Sequence, residues 1–486
     1  MAHTALPRRE FLAMSAAASA ASSLGPSRPP DRPNVLLFLT DDHGHWAMAS
    51  SGNSDLHTPN LDFLAASGTR MANAFTPCPV CSPARASLWT GRLPSQHGIH
   101  DWIREEGDSR TWLREEVPLA RLFARAGYQP ALFGKWHCGQ REVAQAGFAT
   151  WMTHETHQYP HRGAPRFLEN GKPVAFLGQQ SALVTSRAQQ FLRNRERGGP
   201  FFLCVGYVDT HAPFAEHPER IVRRYRRAAF RDVPREEYKG PLQPLHVPPR
   251  DPAERAEALA QYFAAVTYID EQVGILLDEL EGTGDLDRTL VVYTSDHGHM
   301  NGHHGLMTKG NATVPQNFLE ESIRVPLLLR LPGMVASSSV HGAFVDHCDL
   351  FHTLLEAAGI REEEEATRRR NSPGRSFLPM LRGEDADWRQ EQFCEYGMVR
   401  TEKHKLVVRY PAYGRSDPDE LYDLEADPRE TVNLLPRLAG TGLERELRGR
   451  LEAHFQRYEV PARSGRRIEE QPRYNPNEPW RSRLGL

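Results

Sequence analysis

"NVLLFLTDDHG", residues 34–44, decides the fold class. Val35 to Leu39 are all apolar, where a strand with one wet face would alternate. A short continuous apolar run with polar flanks reads as a strand covered on both faces. This one ends in two adjacent aspartates, Asp41 and Asp42. Three more runs follow the same plan. "PALFGKWHCG" (130–139) leads to Lys135 and His137, "PFFLCVGYVDTHAPF" (200–214) to Asp209 and His211, and "TLVVYTSDHGH" (289–299) to Asp296 and His297. "VPLLLRLPG" (325–333) is a further strand candidate.

Helical patterns lie between these runs. "TPNLDFLAASG" (58–68) has Thr58 as cap, Pro59 at the first helical position and Gly68 past the end. "PLARLFARAG" (118–127) repeats that plan. "SALVTSRAQQFLRNRE" (181–196), "AERAEALAQYFAAVTYIDEQVGILLDELEG" (253–282) and "CDLFHTLLEAAG" (348–359) are further helices. Strands alternating with helices predict an α/β domain with a large, mostly parallel sheet sandwiched by helices. Ligands of such sheets bind beyond the carboxyl ends of the strands, where the Asp, His and Lys residues collect.

Past Gly374 the pattern changes. "EQFCEYGMVRTEKHKLVVRY" (391–410) reads as short strands joined by polar turns, and "DELYDLEADPRETVNLL" (419–435) as a turn followed by a helix. The expected division is a catalytic domain over 31–374 and a smaller C-terminal antiparallel α+β subdomain over 375–486. The charge run "REEEEATRRR" (361–370) is expected to be a solvated loop, and the tail "RYNPNEPWRSRLGL" (473–486) irregular and wrapped on the surface. Residues 1–30 are of another composition. Arg8 and Arg9 are followed by Phe11, Leu12 and a weakly apolar Ala/Ser run, which resembles a twin-arginine export signal with a cleavage site near Ala20. Such a signal implies a periplasmic or secreted protein that crosses the membrane already folded.

Bulk composition narrows the function. With 25% charged and 39% hydrophobic residues among 486, the chain is of ordinary globular composition, and its formal charge of −3 gives no global field toward nucleic acid. Six cysteines are too few for a disulfide scaffold. No apolar run reaches the roughly 20 residues a membrane span needs.

The chemistry-bearing residues then group. Two carboxylates about 4 Å apart repel by about 4 kcal/mol at an effective dielectric of 20. Buried, Asp41 and Asp42 therefore need a proton or a cation, and oxygen-rich sites suit calcium or magnesium. Asp296 and His297 at a neighbouring strand end complete such a shell. In "TPCPVCSPARASLWTGR" (76–92), Ser82 is a cap and Pro83 a first helical residue, with Gly91 as stop. Cys81 then lies just before a helix N-terminus, which favours an anion, and Arg85 adds a permanent positive charge. By its own sequence Cys81 is open to four readings: a buried structural thiol, a redox partner of Cys78, one ligand of a zinc pair, or a nucleophile position.

C-x-P-x-R followed by "ASLWTGR" resembles the signature of the type I sulfatases of the alkaline phosphatase superfamily. "NVLLFLTDDHG", "HTPNLDFLAASGTRMANAF", "GKWH", "THAPF", "SDHGHMNGHHGL", "ESIRVPLLLRLPG" and "ELYDLEADPRETVNL" follow in family order, so that the resemblance spans residues 33 to 435. Ala84 stands where the family often has Ser, and His297 where many members have Asn. The resemblance implies an alkaline phosphatase-like fold and a sulfuric ester hydrolase. It implies that a separate formylglycine-generating enzyme oxidises Cys81 to an aldehyde whose hydrate carries two hydroxyls. One, activated by the metal, attacks sulfur; the second then loses its proton, the aldehyde reforms and sulfate leaves. It further implies that Asp41, Asp42, Asp296 and His297 hold calcium, or magnesium, with residue 81. Arg85 would hold the hydrate and Lys135 and Lys309 the sulfate oxygens. His137 would take the hydrate proton and His211 would serve the leaving oxygen. His299, His303 and His304 are left without a role, at the entrance. The expected substrate is a carbohydrate sulfate or a small sulfated molecule. The basic stretch "RIVRRYRRAAFR" (220–231) reads as a solvated helix face or as a contact for a polyanionic glycan. A phosphonate or phosphodiester hydrolase of the same superfamily, and a silent binding scaffold, are the alternative functions.

Overall fold

A computed structural model describes residues 32–103, 111–145, 147–154, 166–234, 242–244, 249, 251–384, 387–412 and 416–471. The export-signal reading and the expected surface tail fall outside the described residues. Ten strands form one sheet: β1 (Asn34–Thr40), β2 (Thr69–Phe75), β3 (Gln129–Gly134), β4 (Thr150–His154), β5 (Phe167–Glu169), β6 (Lys172–Val174), β7 (Phe201–Gly206), β8 (Thr289–Ser295), β9 (Leu327–Arg330) and β10 (Ser339–Asp346). Their order is β10-β2-β9-β8-β1-β7-β3-β4-β5-β6. The centre, β8-β1-β7-β3-β4, is parallel, while β9 runs against both its neighbours. The expectation of a large, mostly parallel sheet is met.

Strand β1 shows why its run is unbroken. Val35, Leu37 and Leu39 face one core, and Leu36 and Phe38 face the other. The principal helices are α1 (Pro59–Ser67), α2 (Cys81–Thr90), α3 (Leu119–Arg125), α4 (Gln180–Asn194), α5 (Glu219–Tyr225), α6 (Pro252–Gly282), α7 (His347–Ala357), α8 (Glu364–Arg370) and α9 (Gly442–Tyr458). The first core takes Leu88 and Trp89 from α2, Phe123 from α3 and Phe351 from α7. The second takes Leu61 from α1, Leu183 from α4 and Ile269, Val273, Leu276 and Leu280 from α6, at helical spacing. At about 1.5–3 kcal/mol for each large apolar side chain removed from water, the two faces hold the sheet from both sides.

A separate antiparallel sheet contains β11 (Glu391–Cys394), β12 (Met398–Thr401), β13 (His404–Val407) and β14 (Glu420–Asp423). One face packs Val399, Leu406 and Leu421 against Leu447, Leu451 and Phe455 of α9. The other packs Met398 and Val407 against Phe75 and Phe344 of the large sheet. Lys405, fully buried, bridges Glu320 at 2.8 Å and Glu430 at 2.6 Å.

Several local expectations change. Residues 419–435 do not open as a turn: Glu420–Asp423 is a strand paired with His404–Val407, and only Leu435–Leu438 is helical. The run 361–370 is not a loop throughout, because Glu364–Arg370 is helical. Arg370 is buried and pairs with Glu362, donates to the Thr90 carbonyl and lies over the Phe351 ring. A charged residue with two partners and an aromatic face is stable inside.

Candidate active site

The four central strands bring their polar tips to one end of the sheet. Asp41 and Asp42 follow β1, Asp296 and His297 follow β8, Lys135 and His137 follow β3, and His211 follows β7. Helix α2 points its N-terminus at the same place. Its start differs from the expected one. Cys81 is itself the first helical residue after Val80 at the cap position, because Ala84 N bonds the Val80 carbonyl at 3.0 Å. Ser82 does not cap; its Oγ accepts from Ile103 N at 2.9 Å.

Cys81 Sγ lies 3.5 Å from Asp41 Oδ1 and 3.2 Å from His297 Nε2. On another side Lys309 Nζ approaches to 3.2 Å. Asp41, Cys81, Asp296 and His297 each place one donor atom within 4.8 Å of the others, and Asp42, Cys81 and His211 form a second such group. Cys78 belongs to neither group, and both it and Cys81 are free thiols, so the pair makes no disulfide. The Glu395 amide, in the small sheet's first turn, bonds the carbonyl of Pro77 beside Cys78 at 2.8 Å.

Three cations answer the three carboxylates. Lys135 pairs with Asp41 Oδ2, Lys309 with Asp42 Oδ1 at 2.9 Å, and Arg85 Nε with Asp296 Oδ2 at 2.8 Å. Arg85 also donates to the carbonyls of Lys135 and Thr40, which ties α2 to the ends of β3 and β1. Burial works against ionisation of Asp41, but Lys135, His211, Lys309 and Arg85 outweigh it and hold the carboxyl well below its ordinary range. Asp42 is likewise brought to about 2 against burial, chiefly by Lys309. Asp296 moves up, through burial and the neighbouring Asp41. Burial lowers His297, but Asp296 and the Cys81 sulfur outweigh it and raise it to about 9. Burial likewise opposes the charges of Lys135 and Lys309, and their aspartates raise both above the usual lysine range.

The histidines hold defined proton positions. His137, at φ 60, donates from Nε2 to the Ile103 carbonyl at 2.9 Å, leaving buried Nδ1 as the lone pair. Burial and Lys135 keep it neutral, far below its ordinary value. His211 donates from Nδ1 to the Ala212 carbonyl at 2.6 Å and points Nε2 at Asp42, 3.9 Å away. Burial and Lys309 hold it at about 4.

Asp41, Asp42, Cys81, Arg85, Lys135, His211, Asp296, His297 and Lys309 are thus joined by direct contacts, with His137 beside Lys135, whereas Cys78 stands outside both donor groups and Asp209 accepts from the Ser181 hydroxyl instead. The structure adds others. The Thr210 hydroxyl donates to the Asp41 carbonyl, and Tyr262 OH donates to the Asp42 carbonyl at 3.0 Å while accepting from Gly44 N. These hold the backbone of the aspartate pair, with Asp42 at φ 54. His299 reaches within 4.0 Å of Asp42 Oδ2 and lies over Tyr262, with Phe214 edge-on. His303 packs on Trp46, and His304 binds Glu321 at 3.0 Å. Of these, His299, His303 and His304 were named from the sequence without a role, and "THAPF" was the signal for Thr210, which is adjacent to His211.

Comparisons with known proteins place the chain in a family. A family model described as Sulfatase matches residues 33–360, and one described as N-sulphoglucosamine sulphohydrolase, C-terminal, matches 315–457. The chain is similar to an N-acetylglucosamine-6-O-sulfatase of Bacteroides thetaiotaomicron, 28% identical over 527 aligned positions covering 91% of this chain and 90% of that protein. It is also similar to a choline-sulfatase of Rhizobium meliloti, 29% identical and covering 83% of this chain and 82% of that one. A structure solved in complex with its substrate D-glucosamine-2-N,6-O-disulfate aligns with a TM-score of 0.74 at 25% identity, over 88% of this chain and 98% of that one. Since the Sulfatase model spans more than half of the chain, from β1 through α7, the protein belongs to the sulfatase family and is a sulfuric ester hydrolase.

Proposed function

We propose that this sulfatase hydrolyses a carbohydrate sulfate ester, with residue 81 converted from cysteine to formylglycine and a divalent cation, calcium or magnesium, held by Asp41, Asp42, Asp296 and His297. One observation carries the reading: the side chain of residue 81 stands between an Asp/His cluster and a lysine, at 3.5 and 3.2 Å from Asp41 and His297 and 3.2 Å from Lys309. The donor set fits a divalent ion. Asp41 and Asp296 give their Oδ2 atoms to Lys135 and Arg85, and their Oδ1 atoms approach Cys81 Sγ and His297 Nε2. His297 donates from Nδ1 to the Gly298 carbonyl at 2.9 Å, so that Nε2 is the ligating lone pair. Three carboxylates against two lysines and an arginine are formally balanced, so a dication with the monoanionic sulfate ester leaves one positive charge, which the product sulfate dianion neutralises.

Bound there, the cation supplies Lewis acidity and positive charge beside residue 81. The hydrated aldehyde supplies two hydroxyls on one carbon, one to attack sulfur and one to expel sulfate. Lys135 and Lys309 hold sulfate oxygens and offset the charge that grows on them. His137 Nδ1 takes the hydrate proton. His211 Nε2 delivers a proton to the leaving oxygen; burial and Lys309 depress it, and the bound anion offsets the Lys309 part. The half-buried rings of Trp46 and Phe214, beside His303 and His299, suit the apolar face of a sugar. The N-acetylglucosamine-6-O-sulfatase and the glucosamine disulfate complex support the carbohydrate assignment. A formylglycine-generating enzyme is the maturation partner, and the twin-arginine-like start supports export to the periplasm or beyond.

The test is made on protein from a host that has the modifying enzyme. Fragmentation of the tryptic peptide Met71–Arg85 is expected to place formylglycine at position 81, and sulfated glucosamines are expected to release sulfate. A plain thiol at position 81 in an active preparation would sink the mechanism. Faster cleavage of phosphonate monoesters than of any sulfate ester would move the substrate class.

A further inference from the structure

The cysteine that the gene encodes at position 81 gives the cluster a donor set different from that of the converted residue. Its four inner donors are Cys81 Sγ, His297 Nε2, Asp41 Oδ1 and an oxygen of Asp296, all buried. Sγ is 3.2 Å from His297 Nε2 and 3.5 Å from Asp41 Oδ1, and Asp296 Oδ1 is 3.7 Å from His297 Nε2. A tetrahedral zinc ion, with bonds of about 2.3 Å to sulfur and 2.0–2.2 Å to nitrogen and oxygen, spaces neighbouring donors about 3.3–3.6 Å apart. The three edges at 3.2, 3.5 and 3.7 Å lie at or within about 0.1 Å of that range, and the remaining edges lie within 4.8 Å, so small side-chain shifts close the tetrahedron. Calcium instead takes six to eight oxygens, as a hard ion, and has no use for sulfur. The partners behind the donors are in place as well. Lys135 and Arg85 fix the two carboxylates through Oδ2, and the Gly298 carbonyl fixes the imidazole through Nδ1.

We propose that the unconverted chain, with Cys81 still a thiol, is a specific site for one zinc ion held by Cys81, His297, Asp41 and Asp296. On binding, the S–H bond of Cys81 and the Nε2–H bond of the His297 imidazolium break, S–Zn and N–Zn bonds form, and both protons leave to solvent, with no change of oxidation state. The zinc site stands whether or not residue 81 is ever converted. The contrast with the mature enzyme rests on the conversion proposed above. Conversion removes the sulfur, so the same positions prefer a soft-tolerant ion before it and a hard ion after it. Zinc on the unconverted chain covers the thiol and leaves a protein silent toward sulfate esters.

The test uses the full chain made in a host without the modifying enzyme, stripped with a chelator and titrated with Co2+ as the coloured stand-in for zinc. One equivalent is expected to bind, with an intense near-ultraviolet thiolate-to-cobalt band that stoichiometric Zn2+ bleaches and millimolar Ca2+ does not. The other five cysteines are buried and outside the group, so Cys81→Ser is expected to lose the band. His297→Asn is expected to weaken Zn2+ binding by about tenfold or more. Should Cys81→Ser fold poorly, Cys81→Ala serves in its place. Absence of the band in the wild-type chain, a band that survives both cysteine replacements, or displacement by Ca2+ would each overturn the proposal. The proposed sulfatase mechanism is tested in a converting host by sulfate release, so the two can fail separately.

Discussion

At the scale of single residues, the proposed mechanism divides the proton work between His137 and His211 by the carbonyl each one donates to. The bond from His137 Nε2 to Ile103 frees Nδ1, and the bond from His211 Nδ1 to Ala212 frees Nε2. If His211 delivers a proton to the leaving oxygen, its loss matters most where that oxygen is basic. His211→Asn is expected to lower kcat by about 10²–10⁴ on a sugar sulfate and far less on nitrophenyl sulfate, whose leaving group needs no proton. Steady-state rates on both substrates check this, and an equal loss on both would remove His211 from that role. Arg85 acts differently. Its contacts with Asp296, the Lys135 carbonyl and the Thr40 carbonyl make it the fastener between α2 and the strand ends.

At the scale of elements, the positions of these side chains depend on how strands end. Gly134, the last residue of β3, has φ 110, and an added Cβ would lie 2.0 Å from the Gly206 carbonyl oxygen in β7. Lys135 follows it directly. Gly134→Ala is expected to cost about 1–3 kcal/mol, read as a lower urea midpoint, and to lower kcat at least as sharply as it lowers stability because Lys135 and His137 shift. Lys405 joins the small sheet to Glu320, in the short helix Glu320–Ile323 that leads into β9, and to Glu430. Both carboxylate partners are buried. Lys405→Met removes the lysine they share, although Glu320 keeps Arg400 and Arg324, and is expected to destabilise the protein by about 3 kcal/mol. Adding Glu430→Gln is expected to recover part of that loss in the same denaturation measurement.

At the scale of the whole molecule, buried neutral histidines set the pH response. Burial holds His43, His100, His347 and His352 at about 4 and His154 and His454 at about 3. The unfolded chain titrates these groups near 6.5, so between pH 6.5 and 4 it binds more protons than the folded one, and stability falls as pH falls. Four carboxyls act in the opposite sense. Burial raises Asp270, Glu395 and Glu430 to about 7 and Asp349 to about 6, so the folded state gains protons there first. The six histidines outweigh the four carboxyls. Tm is expected to be highest near neutrality and to fall steadily from pH 6.5 to 4. A flat or rising Tm across that window would mean that the histidines are charged in the fold.

The reactive tips were legible because local chemistry wrote them. An unbroken apolar run needs cover on both faces, and polar residues can follow it only at its end, so Asp41, Lys135, His211 and Asp296 were marked by their own strands. The motif around Cys81 was equally local. Five strands of the large sheet, β2, β4, β5, β6 and β10, left no such mark. "TRMANAF" in β2 and "SVHGAFVD" in β10 mix polar and apolar residues, and their pairing with each other supplies what their sequences lack. The start of α2 was also decided elsewhere, since Ile103 claims the Ser82 hydroxyl that would have capped it. Lys309 comes from a loop with no periodicity and meets Asp42 267 positions away. The sequence by itself therefore marked the polar residues that end its buried strands, which are the ones the proposed chemistry draws on. Only the tertiary structure decided that β8, β1, β7 and β3 lie side by side, because strand order is a property of contacts between segments distant in the chain, and that order is what makes seven scattered side chains one site.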